Sequence, residues 1–371
     1  MEFNKKIPTE LWAMIIDFIV VPLRHPHLYC KPETFPQYDE ILWNVDTSDK
    51  TPFMEDWKRV RVVCKGWKYL AGANPWFFFK ERPWADYPEI PQSTSIVFIS
   101  SGVNGHLAME RIPHLKGNLT TLALGSHSYD TNALDILFEN PSTFPNLQCL
   151  AVYSTHTVRP FWRVLQDEFP NLISLTVRSY SRGTSGECVL KNLEILSIFS
   201  FSGFRLVCPS LKHLHIRSSR WYTESLFIKE HSQQLQSFMG LIPPMLGREA
   251  NIWSSIFPNL VLSGCSMMSE RGVPPPGHPL RHLRLFPNDN EWKPEDIMAE
   301  IDAFGFPELE SVHINMNHLV HGTADDLRAR CRKRGIRLVE IVDGIRVAVL
   351  PPQPKKDTIK REIRFRTLPR R

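Results

Sequence analysis

The amino-acid sequence predicts an α/β protein: a small N-terminal helical module followed by a curved solenoid whose concave face is a parallel sheet. Three observations lead there. A motif of the form L-x-x-L-x-L returns many times through the middle of the 371-residue chain. The segments between its copies carry apolar residues at helical spacing. The first ninety residues hold two amphipathic helical patterns and no copy of the motif. The expected division is a module over residues 1–80 with an insertion loop at about 20–56, a repeat domain over 91–350, and a basic disordered tail over 351–371.

The first helical pattern follows Ile7-Pro8. Thr9 suits an N-cap and Glu10 the positive first turn, and Leu11, Met14, Ile15 and Phe18 then share one stripe. Ile16 and Ile19 widen that stripe beyond what a small core needs, which points to a second surface covered by a partner. The second pattern, Trp57 to Ala71, repeats Val60, Val63, Cys64, Trp67 and Leu70 and ends at Asn74-Pro75-Trp76-Phe77. Ile-Pro-x-Glu-Leu-Trp-x-x-Ile-Ile, then Val-Cys-Lys-x-Trp-x-x-Leu-Ala, then an aromatic cluster, resembles the F-box over about 70 residues. The stretch Val20–Asp56 is longer than the usual connection between the two halves and reads as an insertion loop. The resemblance implies docking on a Skp-type adaptor and, through it, a cullin. Ile7, Pro8, Leu11, Ile15, Val63, Cys64 and Trp67 match the adaptor-facing positions; for Ile15 and Trp67 a role in the module's own core is an equal reading.

The repeat is clearest in Phe144-Pro145-Asn146-Leu147-Gln148-Cys149-Leu150-Ala151-Val152, echoed 25 residues on by Phe169-Pro170-Asn171-Leu172-Ile173-Ser174-Leu175-Thr176-Val177. Further copies start at Leu119, Leu193, Leu211, Leu235, Leu260, Leu280 and Leu309, at spacings of 18 to 29 residues. This period is similar to that of leucine-rich repeats. Side chains alternate along a strand, so the last two apolar residues of each copy face one side. Helix-patterned segments such as Phe161–Glu168 and Ile297–Ile301 then lie outside the sheet. The asparagine usual after the last apolar position is missing from most copies, so the usual asparagine ladder is not expected and the connections should be irregular. At the end of the array, Thr323-Ala324-Asp325-Asp326 reads as a helix start, Arg328 to Arg334 and Gly335 as its end, Ile336 to Val342 as a last strand, and Ile345 to Leu350 as its neighbour.

Composition narrows the function. Apolar residues make up 42% and charged residues 22%, as in ordinary globular proteins. The 7 Cys are scattered singly with no CxxC pair, which fits free thiols in a reducing compartment rather than zinc ribbons or disulfides. The net charge of +5 sits largely in the tail, so no field argues for nucleic acid. Leu11–Leu23 is too short to span a bilayer, and Asp17 and the lack of a cleavage site argue against a leader. A protein of the cytoplasm, the nucleus or both is expected, with the Asn118-Leu119-Thr120 sequon unused. GxSxG, GxxxxGK[ST], HExxH and GxGxxG are absent. His25-x-His27-x-x-Cys30 lacks a second ligand pair. No enzyme activity, metal or cofactor is expected.

The repeat register names a candidate binding face. The residues flanking the last two apolar positions of each copy include Tyr153, Arg178, His213, His215, Arg217, His282 and Arg284, and no Asp or Glu when the copy at Leu260 is left aside. Such a face suits an acidic or phosphorylated protein client held by charge-assisted hydrogen bonds, although chance sampling of a solvated face explains the missing acids equally well. Joined to the F-box resemblance, this implies the substrate-recognition subunit of an SCF-type (cullin–RING) ubiquitin ligase. The alternative is a leucine-rich-repeat interaction scaffold with no ubiquitin role.

Overall fold

The computed structural model describes residues 26–43, 75–80, 87–100, 102–115, 117–125, 132–153, 160–178, 187–199, 205–217, 221–240, 252–265, 274–285, 292–304, 308–315, 319–342 and 346–349. Both helical half-motifs, and with them Ile7, Pro8, Leu11, Ile15, Val63, Cys64 and Trp67, lie outside the described residues, as does the 351–371 tail.

The protein is mixed α/β. Its strands are β1 (Trp76–Phe79), β2 (Ile96–Ile99), β3 (Thr121–Leu124), β4 (Cys149–Val152), β5 (Ser174–Val177), β6 (Glu187–Val189), β7 (Ile195–Ile198), β8 (Arg205–Val207), β9 (His213–Ile216), β10 (Ser237–Met239), β11 (Leu262–Cys265), β12 (His282–Leu285), β13 (Ser311–Asn315), β14 (Arg337–Val342) and β15 (Arg346–Val349). Thirteen of them form one open sheet in chain order, with β6 and β8 paired apart as a small parallel ribbon. Every neighbouring pair in the large sheet is parallel except β14 with β15, which returns antiparallel at the end of the array.

Alternation along the strands explains the layering. In β4, Leu150 and Val152 enter the large core beneath the connecting segments, whereas Cys149 and Ala151 enter a second, smaller core on the other face. All four residues are buried, as they are in β2, β3, β5, β7, β9 and β12. Parallel strands buried on both sides need cover on both sides. On the first side it comes from segments such as the helix Phe161–Glu168, which buries Phe161, Trp162, Val164 and Leu165 and exposes Arg163, Gln166, Asp167 and Glu168.

The connections are also tied by polar bonds at a position the sequence reading passed over. The residue just before the anchor leucine donates to a carbonyl in the preceding copy: Asn118 to Gln92 (2.9 Å), Asn146 to Gly117 (2.6 Å), Asn171 to Pro145 (2.9 Å), Asn192 to Pro170 (2.8 Å) and Asn259 to Gln233 (2.7 Å). Beside the missing asparagine of the usual position, a different asparagine ladder thus runs one residue ahead of the leucine and satisfies turn carbonyls that have no strand partner. At the C-terminal end, the Thr323 hydroxyl donates to the Val320 carbonyl (2.7 Å) instead of capping the helix Ala324–Lys333, and Gly335 follows that helix in a left-handed conformation, φ 74°.

The insertion expected to be a loop carries two helices where it is described, joined by a turn at residues 30–34. Two helices, α1 (Pro26–Tyr29) and α2 (Phe35–Trp43), lie in it. Pro36 sits in the first turn of α2, where its missing N–H leaves nothing unsatisfied. Phe35, Tyr38, Ile41 and Leu42 fall on one stripe and, with Cys30, are buried against the second face of the sheet. Among the described residues, the segment 26–43 thus lies over that face.

Candidate interaction face

Strand register aligns the second face in rows. One row runs Cys149, Ser174, Ile195, His213, Ser237, Leu262, His282 and Ser311. Two residues further along the strands the next row runs Ala151, Thr176, Ser197, His215, Met239, Gly264, Arg284 and His313. Beyond the strand ends Tyr153, Arg178, Phe199 and Arg217 follow in the same sense.

Helix α2 meets these rows through alternating apolar and acidic groups. The Phe35 ring lies 5.3 Å from the His213 ring, and the Tyr38 hydroxyl is 3.0 Å from the Cys149 sulfur. Asp39, 1% exposed, accepts through Oδ2 from His215 Nδ1 at 2.6 Å and from Arg217 Nη2 at 2.7 Å. Glu40 Oε2 accepts at longer range from Arg217 (3.4 Å) and Arg284 (3.5 Å). Arg284 also donates to the Pro36 carbonyl (3.3 Å), and Arg178 donates to the Leu42 carbonyl (2.8 Å). Arg217 closes the contact by stacking 4.0 Å over the Trp43 ring. Arg178 and Arg217 thereby stand at the C-terminal end of α2, the negative end of its dipole.

Burial alone favours a neutral Asp39, but His215 and Arg217 outweigh it and hold the carboxyl well below the usual carboxylate range. His215 is driven the other way: burial lowers it, the pull of Asp39 opposes that, and Arg217 adds to it. We take the pair as an ionised Asp39 balanced by Arg217, with a neutral imidazole whose Nδ1–H donates. Burial and the Lys212 charge bring His213 down to about 3. Burial lowers His282, and burial with Arg284 takes His313 well below its ordinary value. His213 Nδ1 faces the Ser237 hydroxyl at 3.0 Å, while His282, Ser311 and His313 form a chain with contacts of 2.8 and 3.0 Å. These neutral imidazoles act as hydrogen-bond partners within a buried layer. Burial likewise keeps the Cys149 thiol protonated, pushed up to about 11.

The sequence places Arg178, His213, His215, Arg217, His282 and Arg284 on a solvated platform for an external client. The structure corrects their accessibility: Arg178, His213, His215, His282 and Arg284 are buried and Arg217 is half-buried. The cause is electrostatic and apolar at once, because an acidic amphipathic helix of the chain itself fits them. Of these residues Tyr153 alone remains exposed, at 38%, and Phe199, which follows β7, is exposed as well, at 45%. Phe35, Tyr38, Asp39 and Glu40 are the partners that the sequence reading missed. Their signal was present: apolar spacing around an adjacent acid pair, within a chain whose repeat face carries none. Among the described residues no group of three or more His, Cys, Asp or Glu could hold a metal ion, and no helix is long and apolar enough to cross a membrane.

No protein-family model matches the chain, and no curated protein matches it. Among solved structures, a crystal structure of a Bacteroides fragilis protein aligns over 62% of this chain and 67% of its own, at 16% identity and a TM-score of 0.33, a likeness too slight to bear on fold or function.

Proposed function

We propose that this chain is the substrate-recognition subunit of an SCF-type ubiquitin ligase: an F-box segment engaging a Skp-type adaptor, joined to a leucine-rich-repeat solenoid that receives a protein client. The observation that carries the binding half is the sheet itself. Parallel strands added in chain order, nine of them (β3, β4, β5, β7 and β9 to β13) set by an L-x-x-L-x-L copy, support the repeat reading, and they gather Arg178, His215, Arg217 and Arg284 on one face, beneath α2. The ubiquitin half rests on the resemblance of the Ile7–Ile16 and Val63–Ala71 segments to the F-box. Such a protein makes no bonds; it raises the effective concentration of client lysines near the charged ubiquitin-carrying enzyme.

The test is co-purification. Full-length chain expressed with a Skp-type adaptor should retain it, and Leu11→Asp, which puts a charge into the adaptor-facing stripe, should reduce recovery at least tenfold. Failure of the unaltered chain to retain adaptor removes the ubiquitin role and leaves the interaction scaffold, the second reading supported by the same sheet.

A further inference from the structure

We propose that the segment 26–43 is a tethered pseudo-ligand, and that the sheet face beneath it accepts in its place a partner's acidic amphipathic helix of the same pattern: two aromatic residues three apart, an adjacent acid pair, then aliphatic residues. The proposal deepens the reading of the repeat face as the client-receiving surface and rests on it.

The two faces of the same strands differ in a way that separates a permanent core from an exchangeable contact. Beneath the outer connections the strands bury Leu150, Val152, Leu175, Val177, Leu214 and Ile216, all apolar. Beneath α2 the same strands bury Ser174, Thr176, His213 and His215 beside Cys149 and Ala151, and neighbouring strands add the polar Ser197 and Arg284 along with the apolar Ile195, Met239 and Leu262. A face that never meets water is built from hydrocarbon, since burying a charge and its partner gains little over well-packed apolar groups. A face that meets water in one of its states carries polar groups that remain hydrated when uncovered. Removing α2 from this sheet exposes arginine, histidine, serine and threonine interleaved with apolar residues such as Ile195, Met239 and Leu262. This mixed side of the sheet thus tolerates an uncovered state better than the wholly apolar side does.

Complementarity selects the occupant. Arg178, Arg217 and Arg284 converge on a carbonyl terminus and two carboxylates within a single nine-residue helix, Phe35–Trp43. Cys149, Ala151 and Ser174 are small enough to admit aromatic rings, as they admit Tyr38. Any helix offering the same aromatic spacing and acid pair repeats these contacts; a basic or purely apolar helix does not. Displacement is an exchange between like contacts, so its free energy depends on the difference between two helices rather than on the whole interface.

The experiment uses the full-length chain and, as probe, a synthetic peptide with the sequence of residues 26–44. In the unaltered chain, saturating peptide should speed amide exchange of Tyr38–Leu42 at least tenfold while β5, β7 and β9 keep their protection. A chain carrying Asp39→Lys and Glu40→Lys, whose own helix is repelled, should bind the labelled peptide at least tenfold more tightly than the unaltered chain does, and a peptide with the same two reversals should bind neither. If Tyr38–Leu42 stay as protected as β9 at every peptide concentration, the segment is constitutive core and the proposal is overturned, whether or not the double variant folds. Adaptor co-purification is read in parallel: loss of adaptor with intact peptide exchange refutes only the ubiquitin role, and retained adaptor without exchange refutes only the pseudo-ligand.

Discussion

Asp39→Ala is the perturbation that probes the interaction face most directly. Asp39 is 1% exposed and accepts two short bonds on a single oxygen, from His215 at 2.6 Å and Arg217 at 2.7 Å. Removing one member of a buried ion pair costs about 3–5 kcal/mol, because the remaining charge keeps its desolvation and loses its partner. Two features place this site at the low end. The Arg217 side chain is 21% exposed and can recover some hydration, and it keeps the weaker contact to Glu40 and the stack on Trp43. His215 is neutral and loses one ordinary hydrogen bond. We therefore expect α2 docking to weaken by about 3 kcal/mol, or on the order of a hundredfold in the docked-to-undocked ratio. Amide exchange of Tyr38–Leu42 should accelerate by that factor, with a smaller change in β5, β7 and β9. Pairing the substitution with Arg217→Ala should show a coupling of at least 1 kcal/mol in a double-mutant cycle. Exchange at Tyr38–Leu42 that stays within threefold of the unaltered chain would refute an electrostatic latch and leave apolar contact as the whole of the docking.

Acid should loosen the molecule before any carboxylate titrates. His213, His215, His282 and His313 are held below their ordinary value in the folded chain, so an unfolded chain binds more protons as pH falls below about 6.5. The stability they contribute is complete above that pH and is lost on the way down, for His213 until about 3, with Asp39 adding its loss below the usual carboxylate range; urea midpoints at pH 7.5 and 5.5 should differ accordingly, and equal midpoints count against buried neutral imidazoles. Gly240→Ala should cost about 1–3 kcal/mol, since φ is 140° and a Cβ there lies 2.5 Å from the Ile216 carbonyl oxygen, whereas Gly277→Ala, with open space around it, should cost less; thermal unfolding of the two variants compares them. Asn171→Ala, which removes the exposed bond to the Pro145 carbonyl, should cost about 1 kcal/mol by urea unfolding, and a neutral result would make the asparagine ladder ornamental.

The repeat was legible because it depends on local rules. Leu172, Leu175 and Val177 recur at the spacing of Leu147, Leu150 and Val152, and alternation alone sends the last two of each trio to one side of β5 and β4. The helical stretch at Phe161–Glu168 was legible for the same reason. The asparagine ladder is written in Pro-Asn-Leu at Asn146, Asn171 and Asn259, ahead of the strand, where no periodicity of apolar residues marks it. Prolines at 22, 26, 32 and 36 disguised α2 as a loop, although Pro36 occupies the one part of a helix that tolerates it.

By itself, the sequence determined the strands that carry the repeat copies, β3 to β5, β7 and β9 to β13, their parallel succession and the basic, histidine-rich character of one face, since each follows from periodicity within a few residues; β1, β2 and the ribbon of β6 with β8 it did not show. It could not determine what lies on that face. Asp39 and His215 are 176 positions apart, and Arg284 and Glu40 are 244 apart. No local rule links residues so distant; their contact exists only once the strands have stacked and gathered three arginines around one helix. Until then those arginines belong to a solvated surface, and only tertiary packing turned them into the lining of a buried, occupied site.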